Sequence, residues 1–302
     1  MTRKGKYFKH YSLTDRLFII TTYALLSIIA LLVLYPLIYV LSSSFSSPEA
    51  VMSGKVRVLP VDFSLEGYRA VLKYEQVWTG YLNSIIYTVS ATILGVVMTI
   101  MLAFPLSRKN ILIGTKVING YILFTMLFSG GLIPNYFLVR NLGMLNTRFA
   151  LIIPGALSAY YIIIARTFFT STIPDEIYEA AIIDGCSDAR FMVSIVIPLS
   201  MAIIAVLTLF YAVIHWNAYM PALLYLRNKE LFPLQIVLRN ILLLSQKTME
   251  RVDNIRGEMA AQGMEALLKY SLIVVGSAPM LIAYPFVQKH FVKGVMIGSL
   301  KG

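Results

Sequence analysis

Carboxylates are the residues of this chain best placed for chemistry, and five of the 15 gather in one stretch. Asp175, Glu176, Glu179, Asp184 and Asp188 fall within residues 174–199, where Arg190 is the single base, in a chain whose net charge is +11. Acid–base catalysis or metal binding would need partner groups beside them. His10, His215 and His290 are far apart, with no HExxH and no carboxylate at ligand spacing, and they read as interfacial or loop residues. The lone Cys186 excludes an intramolecular disulfide and any multi-cysteine metal centre. No G-x-x-x-x-G-K-S/T phosphate loop occurs, so ATP is not bound here in the usual way. The pattern predicts no catalytic residue and no metal site. It leaves contact with a partner as the work of the acids.

The elements that must position this stretch belong to a bilayer. Of 302 residues, 58% are hydrophobic and only 14% charged, and the mean hydropathy is +0.74; a soluble domain has about 25% charged residues. The apolar residues cluster into runs near the roughly 20 residues that cross a membrane as helix. Lys and Arg sit at the edges of those runs and form no dense basic tract, which argues against nucleic acid as a partner.

An all-α integral membrane fold is expected, with six transmembrane helices at about residues 17–41, 81–106, 117–139, 149–165, 194–214 and 265–287. Arg3, Lys4, Lys6, Lys9 and Arg16 precede the first run and predict a cytoplasmic N-terminus. A cleaved signal peptide is the alternative for this start, but its apolar core would be about 7–15 residues. The run at 17–41 is longer and shows no clear small-residue cleavage site. Arg108, Lys109 and Lys116, with Lys289, Lys293 and Lys301 in the tail, agree with this orientation, which makes the protein multi-pass with both termini in the cytoplasm. The acidic stretch breaks the positive-inside pattern. The domains expected are a cytoplasmic N-terminus at 1–16, a six-span membrane domain at 17–287 with a polar loop at about 172–194, and a cytoplasmic tail at 288–302.

Within the polar loop, Ser171 and Thr172 can cap a helix, Pro174 fits its first turn, and Asp175 and Glu176 suit the positive end of its dipole. Ile177, Ala180 and Ala181 recur at three- and four-residue spacing and predict a small apolar face. Gly185 can end the helix in a left-handed conformation, and Ser187 can cap a second short helix bearing Phe191. The prediction is a helix–turn–helix on the cytoplasmic side; a plain solvated loop would need neither the paired alanines nor the caps.

Pro36 lies inside the first run, and Gly130, Gly131 and Pro134 interrupt the third. Broken helices at membrane depth need neighbours or a water-filled cavity to satisfy their backbone, so these are either ordinary kinks or part of a translocation path. After the fifth run come Trp216, Asn217 and Tyr219. Aromatic residues concentrate at membrane interfaces in any case; flat rings beside an amide also suit a sugar ring.

Glu179-Ala180-Ala181, three residues, then Gly185, with Pro198-Leu199 beyond, resembles the "EAA" loop of permease subunits of ATP-binding-cassette importers. Asn83-Ser84, Asn146-Thr147, Trp216-Asn217 and the C-terminal segment from Phe291 to Gly302 are similar to the carbohydrate, MalG-like branch. The run from Phe128 to Pro134 and the tail look closest to permeases for complex oligosaccharides and polysaccharide fragments. The resemblance spans essentially the whole chain. It implies a cell-membrane permease half that pairs with a second, homologous permease subunit, two copies of a cytoplasmic ATPase that bind ATP and Mg, and an extracytoplasmic sugar-binding lipoprotein. It also implies that Glu179, Ala180, Ala181, Asp184 and Gly185 enter a cleft on the ATPase and couple its closure to an oligosaccharide path, with no cofactor on this chain. Cys186 stands where the family often has Ala, and is still small. By position, Trp216, Asn217 and Tyr219 are the candidate substrate-path residues.

The competing reading is a secondary sugar transporter driven by an ion gradient. Such proteins usually carry acids inside their spans, whereas here the acids lie at edges and loops, with Glu265 at a span boundary the nearest exception. An intramembrane enzyme would need a HExxH, an intramembrane Asp pair or a Ser–His constellation. An exporter-type half-transporter would carry a fused ATPase.

Overall fold

The computed structural model describes residues 12–108, 111–249 and 255–299, with side chains at 12–108, 111–246 and 262–285. The basic residues Arg3, Lys4, Lys6 and Lys9, with His10, Lys109 and Lys301, lie outside the described residues, as do the side chains of Lys289, His290 and Lys293. The helices are α1 (Leu13–Ser44), α2 (Pro48–Met52), α3 (Glu66–Leu72), α4 (Glu75–Ser107), α5 (Thr115–Leu127), α6 (Leu132–Asn141), α7 (Phe149–Ile152), α8 (Ala159–Thr172), α9 (Asp175–Ile183), α10 (Asp188–Phe191), α11 (Ile197–Leu199), α12 (Met201–Trp216), α13 (Tyr219–Tyr225), α14 (Leu234–Met249) and α15 (Ile255–Ser299). No strand occurs among the described residues.

One compact unit comprises residues 1–73 and 242–275. Its α1 is apolar on every side and none of its apolar window is buried, which is the pattern of a helix that faces lipid. In its last turn Ser42 Oγ donates to the Val58 carbonyl at 2.6 Å, and just beyond it Ser46 Oγ accepts from the Val61 amide at 3.0 Å. Short serines thus fold the polar segment back on the helix end. Ala50, Val51 and Val56 pack with Leu267 in a small core.

The second unit comprises residues 74–241 and 276–302. Its centre is α4, packed against α8 and α12. Gly80, Ser84, Thr88, Ala91, Gly95, Thr99 and Ala103 line the buried face of α4. Small residues let helix backbones approach closely where lipid offers no hydrophobic driving force. Thr99 and Tyr211 hydroxyls meet at 2.8 Å across this contact.

Among the described residues, three helices are long and apolar enough to cross a membrane: Leu13–Ser44, Glu75–Ser107 and Gln262–Pro285. Two further pairs pass only together, bent by 114° between α5 and α6 and by 83° ahead of α12. Six unbroken spans are therefore not what the described residues form, because hydropathy averages over breaks that the backbone does not. Gly131, at φ +81°, turns the third span, as the glycine pair there leads one to expect. Pro198 has no amide N–H to continue a helix, so the fifth run divides at Ser200 and its straight part starts at Met201 instead of residue 194. The fourth is divided into α7 and α8 around Pro154 and Gly155.

Candidate functional site

The acidic stretch folds as two short helices joined by a tight turn. Pro174 is itself the cap residue of α9, with extended angles (φ −60°, ψ 150°). Ser171 and Thr172 do not cap it, contrary to the sequence expectation: they complete the last turn of α8, where Ser171 Oγ donates to the Phe168 carbonyl at 3.1 Å. Proline fixes its own φ and favours extended backbone before it, which separates α8 from α9 without a hydroxyl. The far end follows expectation. Gly185 adopts φ +77°, its amide donates to the Ile182 carbonyl and that of Cys186 to Ala181, both at 2.9 Å. Ser187 Oγ accepts from the Arg190 amide at 3.4 Å.

A side-chain clasp closes the hairpin. Tyr178 donates its hydroxyl to Asp188 Oδ1 at 2.7 Å, and its ring meets Phe191 edge-on at 5.2 Å. Phe191 is fully buried and lies 6.0 Å from Phe104 of α4. Burial first, and then the neighbouring Asp188 carboxylate, push the Tyr178 phenol up to about 12.

The five predicted coupling residues divide between two faces. Ala181 is turned inward and joins the core of Phe104, Ile173 and Phe191. Glu179, Ala180, Asp184 and Gly185 are exposed. The expected face of Ile177, Ala180 and Ala181 is corrected accordingly: Ala181 leaves it, and Ile177, Ile182 and Ile183 stay exposed, the last at 85%. A nine-residue helix has room for one inward stripe, and Tyr178 and Ala181, three apart, occupy it. Glu176, Glu179 and Asp184 make no ion pair among the described residues.

Arg108 is the residue that sequence reasoning left as a topology marker. It is only 2% exposed; Nη2 donates to the Ile173 carbonyl at 2.9 Å and Nη1 to Asp175 Oδ1. Alongside it, Arg166 Nε donates to the Leu106 carbonyl at 3.0 Å. The end of α4 is thereby bound to the chain on both sides of Pro174. The available signal was a base at a span end in a chain with five of its 15 acids in one segment.

The other candidate residues lie at the opposite end of α12. Trp216 is buried, and its indole N–H donates to the Gly276 carbonyl at 2.9 Å. Asn217 is exposed and donates Nδ2 to the Val213 carbonyl at 2.9 Å. Tyr219 is half-buried, its amide donating to the Asn217 carbonyl at 2.7 Å, with the Arg239 guanidinium 5.7 Å above its ring. Asn217 and Tyr219 are thus adjacent and partly open, whereas Trp216 faces inward. Asn83 and Asn146 act as sockets for backbone. Asn83 Nδ2 donates to the carbonyls of Glu230 and Phe232 at 2.6 and 3.2 Å, Ser84 Oγ accepts from the Leu234 amide at 2.8 Å, and Asn146 Oδ1 accepts from the amides of Arg227 and Asn228 at 3.0 and 2.8 Å. Asn146 sits at φ +59°, a region asparagine tolerates better than most residues. No cluster of three or more metal-ligating side chains occurs among the described residues.

No family model matches the sequence. The chain is 40% identical over 293 residues to the polygalacturonan/rhamnogalacturonan transport system permease protein YtcP of Bacillus subtilis (strain 168), covering 95% of this chain and 99% of that one. It is 35% identical to protein LplC of the same organism, over 97% and 98% of the two chains. Among solved structures, a chain of a bacterial ABC transporter involved in the import of the acidic polysaccharide alginate superposes with a TM-score of 0.80. The two are 37% identical, over 93% of this chain and 99% of the other.

Proposed function

The chain belongs to the sugar-importing permease subunits of ATP-binding-cassette transporters, and from that premise we propose that its hairpin at 175–191 is the point of coupling to a separate ATPase. The protein is a membrane-embedded component of ATP-driven oligosaccharide import, which sets aside the ion-gradient alternative. The similar proteins named for polygalacturonan/rhamnogalacturonan and for alginate favour fragments of polysaccharides as its cargo.

Six crossings, with α7 and α8 together making the fourth, place both termini and the hairpin in the cytoplasm. Two ATPase copies then bind ATP and Mg there, a homologous permease completes the path, and a lipoprotein delivers sugar outside. The observation that carries the coupling role is the hairpin itself. Glu179, Ala180, Asp184 and Gly185 are presented outward beside exposed isoleucines, while Ala181, Phe191 and the Arg108 contact fix the hairpin to α4. A rigid mount with an unpartnered acidic and apolar outer face transmits displacement and performs no chemistry. Asn217 and Tyr219 are the open substrate-path candidates; Trp216 supports them from behind.

The test is Gly185→Asp in the complex assembled with its partner subunits. Assembly and ATP hydrolysis persist while sugar uptake is lost. Sugar accumulation by the permease alone under a proton or sodium gradient would overturn the proposal.

A further inference from the structure

Charge at the end of the second unit opposite the hairpin is not explained by topology. In stretches 140–148 and 217–241, which the proposed orientation places outside, Arg140, Arg148, Arg227, Lys229 and Arg239 face one acid, Glu230. Short outer segments of membrane proteins are normally poor in Lys and Arg. The two stretches are also fastened together: besides the Asn146 side chain, the Asn146 amide donates to the Tyr225 carbonyl at 2.8 Å.

Two of these arginines are held in a particular way. The Arg148 guanidinium lies 5.8 Å over the ring of Tyr87, and that of Arg239 lies 5.7 Å over Tyr219. Both rings belong to one cluster, in which Tyr136 and Tyr225 stack at 6.3 Å. Neither arginine forms an ion pair among the described residues. A guanidinium stacked on a ring is oriented in advance, and its fork of N–H donors matches a carboxylate bidentately.

We propose that Arg148 and Arg239 form a carboxylate-recognising rim, and that the imported oligosaccharide is anionic, composed of uronate units whose apolar ring faces meet the half-buried Tyr219. This rests on the reading of the chain as an importer subunit with this face outward. A neutral sugar leaves both cations without a counter-charge. A uronate supplies charge-assisted hydrogen bonds, roughly twice as strong as neutral ones, and is drawn toward the rim before contact.

The experiment uses the complete transporter in zwitterionic-lipid vesicles and, in parallel, in vesicles with anionic lipid, with trigalacturonate and its methyl ester as cargoes of nearly equal size and different charge. The wild type prefers the acid by roughly tenfold, equivalent to about 1.4 kcal/mol, and the preference weakens with salt. Arg239→Gln, at an exposed position, lowers uptake of the acid much more than of the ester, and Arg148→Gln does the same. Equal uptake of both cargoes by the wild type, or a parallel fall for both cargoes in both variants, overturns the proposal. So does an effect of the variants that appears only in anionic lipid, which would assign the arginines to headgroups. Import of neutral oligosaccharides alone would refute the substrate class and leave the importer reading intact; ATP-driven import of no saccharide would refute that reading itself.

Discussion

Arg108 and Asp175, 67 positions apart, meet where α4 ends and α9 begins, and the pair is unequal: the arginine side chain is 2% exposed and the carboxylate 61%. The buried partner also donates to the Ile173 carbonyl, so the joint rests on a backbone contact as much as on charge. An ion pair with one solvated member is screened and weak. A hydrogen bond from a charged donor to a buried acceptor contributes about 1.5–3 kcal/mol.

The consequence is a ranking of variants. Arg108→Met removes both contacts and leaves the Ile173 carbonyl without this donor; Asp175→Asn keeps the carbonyl bond. Thermal unfolding of the solubilised complex falls further for Arg108→Met, and its ATP hydrolysed per sugar imported rises further. Equal effects from the two variants would place the weight of the joint on the ion pair.

Gly185 offers a separate test of what the hairpin docks against. A Cβ there meets nothing within 4 Å in this chain, so the internal cost of substitution is the left-handed backbone alone, about 1–2 kcal/mol. Asparagine reduces that cost and still adds bulk. Gly185→Asn therefore leaves permease stability nearly unchanged and impairs ATPase-coupled uptake. Normal uptake in Gly185→Asn would show that no partner surface closes over the turn.

Tyr178 predicts an alkaline signature. Its phenol lies above the ordinary value of 10.0, at about 12, through burial and then the Asp188 carboxylate. A group whose folded value is raised stabilises the fold fully below the unfolded value and loses that contribution as pH rises through the folded one. The stabilising contribution of the clasp is thus complete up to about pH 10 and is lost between about 10 and 12. The difference absorbance titration between wild type and Tyr178→Phe shows one phenol ionising late; a midpoint at or below 10 would contradict the bond to Asp188.

Local rules made the hairpin legible in the sequence. Gly185 and Ser187 act through neighbours three residues away, and those contacts are encoded by spacing. Ser171 and Thr172 were misassigned because Pro174 alone accounts for the start of α9, and two mechanisms competed for one helix end. Arg108 was invisible as an anchor because its partners at Ile173 and Asp175 come from a distant segment. The breaks within the spans escape a hydropathy reading for a related reason. Hydropathy records burial in lipid and does not register the turn that Gly131 or Pro198 introduces. Asn83 and Asn146 carried a resemblance without a role until their side chains were seen to hold the backbone of residues 227–232.

The three outer candidates separate by what their polar atoms already do. The Trp216 N–H is engaged with the Gly276 carbonyl, so Trp216→Phe removes a buried hydrogen bond contributing about 0.5–1.5 kcal/mol and lowers stability with little change in the KM for sugar. Asn217→Ala and Tyr219→Phe alter exposed or half-exposed polar groups and raise that KM. A raised KM from Trp216→Phe, with stability unchanged, would return the indole to the substrate path.

Gly95 tests whether the close packing of α4 is essential to the permease core. A Cβ at Gly95 would lie 2.8 Å from Tyr211 Cε1 and 3.0 Å from the Ala156 carbonyl oxygen. The tyrosine cannot simply swing aside, because its hydroxyl is bonded to Thr99 at 2.8 Å and its ring meets Tyr161 at 4.8 Å. Any added side chain must therefore push α12 away from α4 or break that hydrogen bond, and overpacking of this kind costs about 1–3 kcal/mol. Gly95→Ala lowers the unfolding temperature of the solubilised protein and Gly95→Val lowers it further, whereas Gly120→Ala, where a Cβ meets nothing within 4 Å, leaves it unchanged. Adding Tyr211→Leu to Gly95→Ala recovers part of the loss by opening the space that the ring occupied. Recovery shows that the cost is local crowding between the two helices, and its absence would place the role of Gly95 in backbone flexibility instead.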